Sequence, residues 1–119
     1  MDINNLINKI KKHPSFDKAG MILCHNGVVR GTSRDGRQVT GLRVKVDHEL
    51  LGRVIAENKK LPGIIEILIE IIEEQDLAVG EDIMGLVVAG DIRKNVIFAL
   101  TKTLDAVKST VTSKTEFFK

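Results

Sequence analysis

With 119 residues, 43% hydrophobic and 29% charged, the sequence has the balance of a globular domain rather than of a disordered chain. The length suits one domain spanning residues 1–119 with a real core and is short for two. No apolar run reaches the roughly 20 residues needed to cross a bilayer, and a net charge of +2 does not demand a polyanionic partner. The opening run MDINNLINKIKKHPS lacks a secretory signal pattern, and the single cysteine, Cys24, has no partner for an internal disulfide. The expected setting is therefore the reducing cytoplasm, with no membrane association.

Residues 2–12 read as a short helix, because Ile3, Leu6, Ile7 and Ile10 recur at three- and four-residue spacing, with Asp2 as N-cap and His13-Pro14 as the stop. Residues 20–30, GMILCHNGVVR, predict a strand with a bulge or bend at Asn26-Gly27. A polar turn over 31–38 leads to a second strand, 39–47, in which Leu42, Val44 and Val46 alternate with Arg43 and Lys45. A helix over 48–60 carries Leu50, Leu51, Val54 and Ile55 on its apolar face and ends at Pro62-Gly63. In GIIEILIEIIEE the residues Ile65, Ile67, Ile69 and Ile71 fall on one face of a strand. Residues 77–81 predict a turn, 82–90 a buried strand, and Asp91 the cap of a long last helix bearing Ile92, Val96, Leu100, Leu104 and Val107. A final short extended segment contains Lys114-Thr115-Glu116-Phe117. The order α-β-β-α-β-β-α-β gives an α+β fold with a mainly antiparallel sheet and packed helices.

Charge is unevenly distributed. Five basic residues (Arg30, Arg34, Arg37, Arg43, Lys45) face one acid, Asp35, between 30 and 45, whereas residues 66–82 hold seven acids and no Lys or Arg. Such polarity suits a small anionic ligand at one place and an ordered partner at another, or simply two solvated faces. Nucleic acid is a weak competitor, since four Phe with no Tyr or Trp leave no stacking platform. His13, His25, His48 and Cys24 lack the spacing of metal ligands, so no metal site is expected, and Cys24 reads as a small core residue. No phosphate loop, dinucleotide fingerprint or nucleophile elbow is present.

The sharper candidates are Arg30, Arg93, Lys108 and Lys114. Arg30 ends a strand before a glycine, where its guanidinium can grip phosphate with two parallel donors. Arg93 lies in the first turn of the last helix, whose free N–H groups already favour an anion. Lys108 and Lys114 flank that helix's far end, a position lysine also takes merely to complement the helix dipole. In one straight helix Arg93 and Lys108 would be roughly 22 Å apart. If both serve one pocket, two copies of the chain must share it, which predicts a two-fold homodimer.

The segments Gly27-Val28-Val29-Arg30, Gly80-Glu81-Asp82, Arg93, and Lys108 with Lys114-Thr115-Glu116 together resemble the catalytic (large) subunit of molybdopterin synthase, over residues 19–118. The resemblance implies an α/β-hammerhead-like fold and a central homodimer with a ubiquitin-like sulfur-carrier small subunit at each end, a heterotetramer. It further implies that the carrier's thiocarboxylate tail delivers sulfur twice to cyclic pyranopterin monophosphate, forming molybdopterin for molybdenum cofactor biosynthesis. Lys108 would be the principal catalytic lysine and Lys114 its assistant, with Arg30 and Arg93 holding anionic groups of the pterin phosphate substrate and no cofactor required. A lysine crowded by other cations is the type of group such chemistry employs. The sequence departs from the family pattern at Ile92, where histidine is usual, at Lys45-Val46-Asp47, and at Ser109–Ser113 between the two lysines. A noncatalytic relative that binds an anion or a ubiquitin-like partner is the alternative expectation.

Overall fold

The computed structural model describes Met1–Lys119. Helix α1 (Ile3–Lys11) begins at Asp2, whose carboxylate accepts from the Asn4 N–H at 2.9 Å, and a 3-10 turn, Phe16–Lys18, leads to strand β1 (Met21–Val28). Strand β2 (Val39–Val46) and helix α2 (His48–Asn58) follow, the helix capped by the Asp47 carboxylate on the Leu50 N–H. Next come β3 (Ile64–Ile71), a two-residue β4 (Leu77–Ala78) and β5 (Asp82–Gly90). Helix α3 (Arg93–Ala106) passes into a π turn, Val107–Val111, and the chain closes with β6 (Thr112–Phe118).

The strands form two separate antiparallel sheets, β1-β5-β3 and β4-β2-β6. The first is covered on both faces. Side chains alternate along a strand, so Leu86 and Val88 of β5 point to one side and meet Val96 and Ala99 of α3, while Val87 and Ala89 point to the other and meet Leu6 and Ile10 of α1. Burial of each such aliphatic side chain is worth roughly 1.5–3 kcal/mol. Gly85 is what lets α1 approach so closely, since a Cβ there would come within 2.9 Å of the Ile3 side chain.

The second sheet extends from the end of the first, giving a molecule of 48 × 24 × 23 Å. Backbone hydrogen bonds tie the two sheets together: Gly80 N–H, just past β4, to the Val29 carbonyl just past β1 at 2.8 Å, and Glu74 N–H, beyond the end of β3, to the Val44 carbonyl of β2 at 2.9 Å. A small cluster of Val29, Leu42, Val44 and Leu77 fills the angle between them.

Several expectations need correction. The 77–81 turn contains the short strand β4, held on β2 because Gly41 has no Cβ to collide with the Leu77 carbonyl. The apolar face of β3 is Ile64, Ile67, Ile69 and Ile71, without Ile65, because a register shift between Ile64 and Glu66 turns Ile65 off that face. The last helix is capped at Ile92, which is 56% exposed, while the Asp91 carboxylate one residue earlier accepts from the Ile92 N–H and the Asn95 side chain. Cys24 is exposed, not a core residue, because β1 is an edge strand and nothing packs over that position; partial burial still pushes its thiol upward.

Candidate functional site

A cavity of about 770 Å³ opens where the two sheets meet. Its floor is one face of the second sheet: Leu42 and Val44 of β2 lie beside Glu116 and Lys114 of β6 in antiparallel register. Strand parity explains the membership, because Thr112, Lys114, Glu116 and Phe118 share a face while Ser113, Thr115 and Phe117 take the other. The apolar wall comes from the first sheet, through Val28, Ile71, Ile83 and Met84.

The cations reach the cavity from three directions. Arg30 stands just beyond β1, where its Nε donates to the Thr32 carbonyl at 2.8 Å, fixing the side chain while both terminal NH₂ groups stay free for an anion. Lys114 rises from the floor. Lys108 enters from the π turn, whose widened register is held by hydroxyls reaching back to helix carbonyls: Ser109 Oγ to Asp105 at 2.8 Å and Thr110 Oγ1 to Ala106 at 2.6 Å. The Ser-Thr-Val-Thr run thus ends α3 and sets the direction of Lys108.

Three of the four candidate residues, Arg30, Lys108 and Lys114, therefore line one cavity. Arg93 does not. It opens α3, whose 14 residues place it roughly 20 Å from the end that carries Lys108. Arg34, Asp35, Glu116 and Phe118 complete the lining and were not among the sequence candidates. Counting by twos from Lys114 would have found the β6 members.

The loop between β1 and β2 forms the rim. Ser33 Oγ accepts from the Arg37 N–H at 3.1 Å and donates to Asp35, and that donated bond is the main cause holding the Asp35 carboxyl below its ordinary range. Arg37 stacks on the Phe118 ring at 3.6 Å from its centroid, fastening the rim to β6. The basic stretch seen in the sequence is thus divided: Arg30 and Arg34 face the cavity, whereas Arg43 is bound to Asp76 at 3.1 Å and to the Glu74 carbonyl at 2.7 Å. No continuous basic surface results. A shallower hollow of about 320 Å³ beside Lys45, Asp47 and Ser113 lacks such a cluster.

Fold and site together define an α+β domain of two antiparallel sheets with a cavity at their junction lined by Arg30, Arg34, Lys108 and Lys114. The MoaE protein family model matches residues 1–110, and the chain belongs to that family. Its membership places it in molybdenum cofactor biosynthesis, among molybdopterin synthase proteins. The fold is similar to that of molybdopterin cofactor biosynthesis protein E from Burkholderia multivorans, with 20% identity, 100% of this chain and 82% of that one covered, and a TM-score of 0.79. It is similar to molybdopterin synthase from Staphylococcus aureus, with 20% identity, 87% and 77% coverage, and a TM-score of 0.74. It also resembles a chain in the complex of subunits 1 and 2 of molybdopterin-converting factor from Helicobacter pylori, at 16% identity, 99% and 84% coverage, and a TM-score of 0.71. Among curated proteins none matches the sequence significantly.

Proposed function

We propose that this chain is the catalytic large subunit of a molybdopterin synthase, transferring sulfur from a thiocarboxylated ubiquitin-like small subunit to cyclic pyranopterin monophosphate. The observation that carries this reading is the convergence of Arg30, Lys108 and Lys114 on one cavity in a member of the MoaE family. Arg30 offers a forked donor pair to the substrate phosphate. Lys108 is the catalytic amine, and Lys114, two pleats from Phe118 on the floor, assists by stabilising negative charge as it develops on the substrate. The apolar wall of Val28, Ile83 and Met84 keeps that charge in surroundings less polar than water, which strengthens each cation's effect.

Arg93 joins the site from a second copy of the chain. Ile92, Ile97 and Phe98 are exposed around it, at 56%, 46% and 55%, as an apolar patch that a partner protomer would cover. The small carrier subunit belongs to the same reading, since the Helicobacter pylori structure that this fold resembles is a complex of two subunits.

The decisive experiment combines the protein with thiocarboxylated carrier and pyranopterin precursor and measures dithiolene formation. Turnover is expected in the wild type and is expected to vanish in Lys108→Ala while circular dichroism stays unchanged. Near-normal turnover in that variant would remove Lys108 from its role. Mixing inactive Lys108→Ala with inactive Arg93→Ala should restore part of the activity, because a mixed dimer contains one intact shared site; no recovery would mean each protomer works alone. The exposed Ile92, unable to donate or titrate, favours a second reading in which the chain binds the anion and the carrier without turnover. Carrier binding with no dithiolene formed would select it.

A further inference from the structure

The molecule has three histidines. His13 and His48 have carboxylate neighbours, Glu66 at 3.9 Å and Glu73 at 2.8 Å. His25 has none. It is half-buried on β1, on the face shared with Met21 and Leu23, which pack against the α3 side of the first sheet. Its ring extends along the strand toward the cavity end: a Cβ placed on Gly27 would lie 3.3 Å from His25 Nε2 and 3.9 Å from the Met84 side chain. Met84 lines the cavity and packs with Val107 and Leu104, which lead directly into Lys108. The absence of a side chain at Gly27 therefore leaves the imidazole beside the wall that separates it from the cavity and from Lys108.

We propose that His25 is proton-linked to the anion cavity from behind its wall: it accepts a proton more readily when a phosphate-type dianion lies among Arg30, Lys108 and Lys114. This rests on the reading of the cavity as an anion site.

The surroundings of His25 carry a definite sign. From β5, Leu86 lies opposite and Met84 beside Gly27, neither charged. From the end of α3 and the π turn, Lys108 is the charged group that acts on it; Lys102 and Asp105 of α3 are exposed to solvent. The nearest acid on β5, Asp82, is bound by Asn26 Nδ2 at 3.0 Å, and Asn26 points to the opposite face of β1. Burial first, and the Lys108 charge second, hold the imidazole below its ordinary value. An anion beside Lys108 offsets the second cause, so His25 then accepts a proton more readily. Reciprocity requires the same anion to bind more tightly as the pH falls through that range. The imidazole in this way adds a positive charge to those of Arg30, Arg34, Lys108 and Lys114 when the anion is present.

The test uses the full-length protein with ring-labelled histidine, titrated by NMR with and without sulfate, which remains a dianion across the range. Sulfate should raise the His25 midpoint and leave His13 and His48 unmoved. Lys108→Met should raise the same midpoint without sulfate, and Arg30→Ala should abolish the response to sulfate. Calorimetry should show sulfate affinity rising several-fold from about pH 8 to about pH 5.5 in the wild type, and losing that dependence in His25→Phe. Amide shifts at Arg30 and Lys108 report whether sulfate is bound. A bound sulfate that leaves His25 unmoved, or moves all three histidines equally, overturns the linkage while the catalytic reading, judged by dithiolene formation, stands. Failure of sulfate to shift either amide overturns the linkage and the anion cavity together.

Discussion

In the first sheet every residue of β5 from Met84 to Gly90 is buried, whereas in the second sheet β2 buries only Val39, Gly41, Leu42 and Val44, and β6 buries none of its residues. A strand covered by helices on both faces has no place for a charge unless it is paired. A sheet with one open face can carry Lys114 and Glu116 in water and still anchor itself through Leu42 and Val44. The first sheet therefore supplies most of the stability, and the second leaves room for solvated charge. The cavity lies at their junction, where the solvated floor borrows an apolar wall from the better packed neighbour.

Substitutions can break or sharpen that contrast. The largest effect is expected for Leu86→Ala, which should cost about 2–5 kcal/mol in urea unfolding, the range for truncating a fully buried leucine. A loss below about 1 kcal/mol would show that the first sheet is not the stabilising one. Phe118→Ala removes the Arg37 stack at the rim and should cost only about 0.5–1 kcal/mol. It should weaken sulfate binding more visibly than it lowers the unfolding midpoint, and the reverse order would assign the rim to stability. The smallest effect concerns acid. The Asn95 side chain, then the Ile92 N–H, hold the Asp91 carboxyl below its ordinary range. Its contribution is thus complete above the unfolded carboxyl's value and is lost as pH falls through the lowered folded one. Asp91→Asn should flatten the acid limb of the melting temperature slightly, and an unchanged limb would mean that the contact is not felt by the fold.

The element order was legible because each strand and helix announces itself by its own period: Leu42, Val44 and Val46 at two, Leu6 and Ile10 at four. Features of one or two residues were not. β4 is too short to show alternation, the register shift at Ile65 is a property of pairing with β5, and the π turn depends on hydroxyls bonding backward rather than on any apolar pattern. The exposure of Cys24 follows from β1 lying at a sheet edge, which sequence periodicity does not encode. At the site, the ordered occurrence of Arg30, Lys108 and Lys114 was readable, but not which of them share a cavity. That depended on the angle between the two sheets. His25 was passed over because a lone histidine on a strand carries no signal until its neighbour across space is known.

The connection between Lys108 and Lys114 is subject to a rule of odd and even. Insertion of one residue between them would bring Ser113 to the position now held by Lys114, and deletion of one would bring Thr115. Loss or gain of two would restore the face but slide it by about 6.8 Å along the floor. Lineages that vary this spacing by a single residue must therefore hide the odd residue where parity does not apply. The π turn is such a place, since it stores one residue more than an α-helical turn. Change in the length of this segment should accordingly be found as helix converted to π turn or back, with the lysine on the strand left facing the same way.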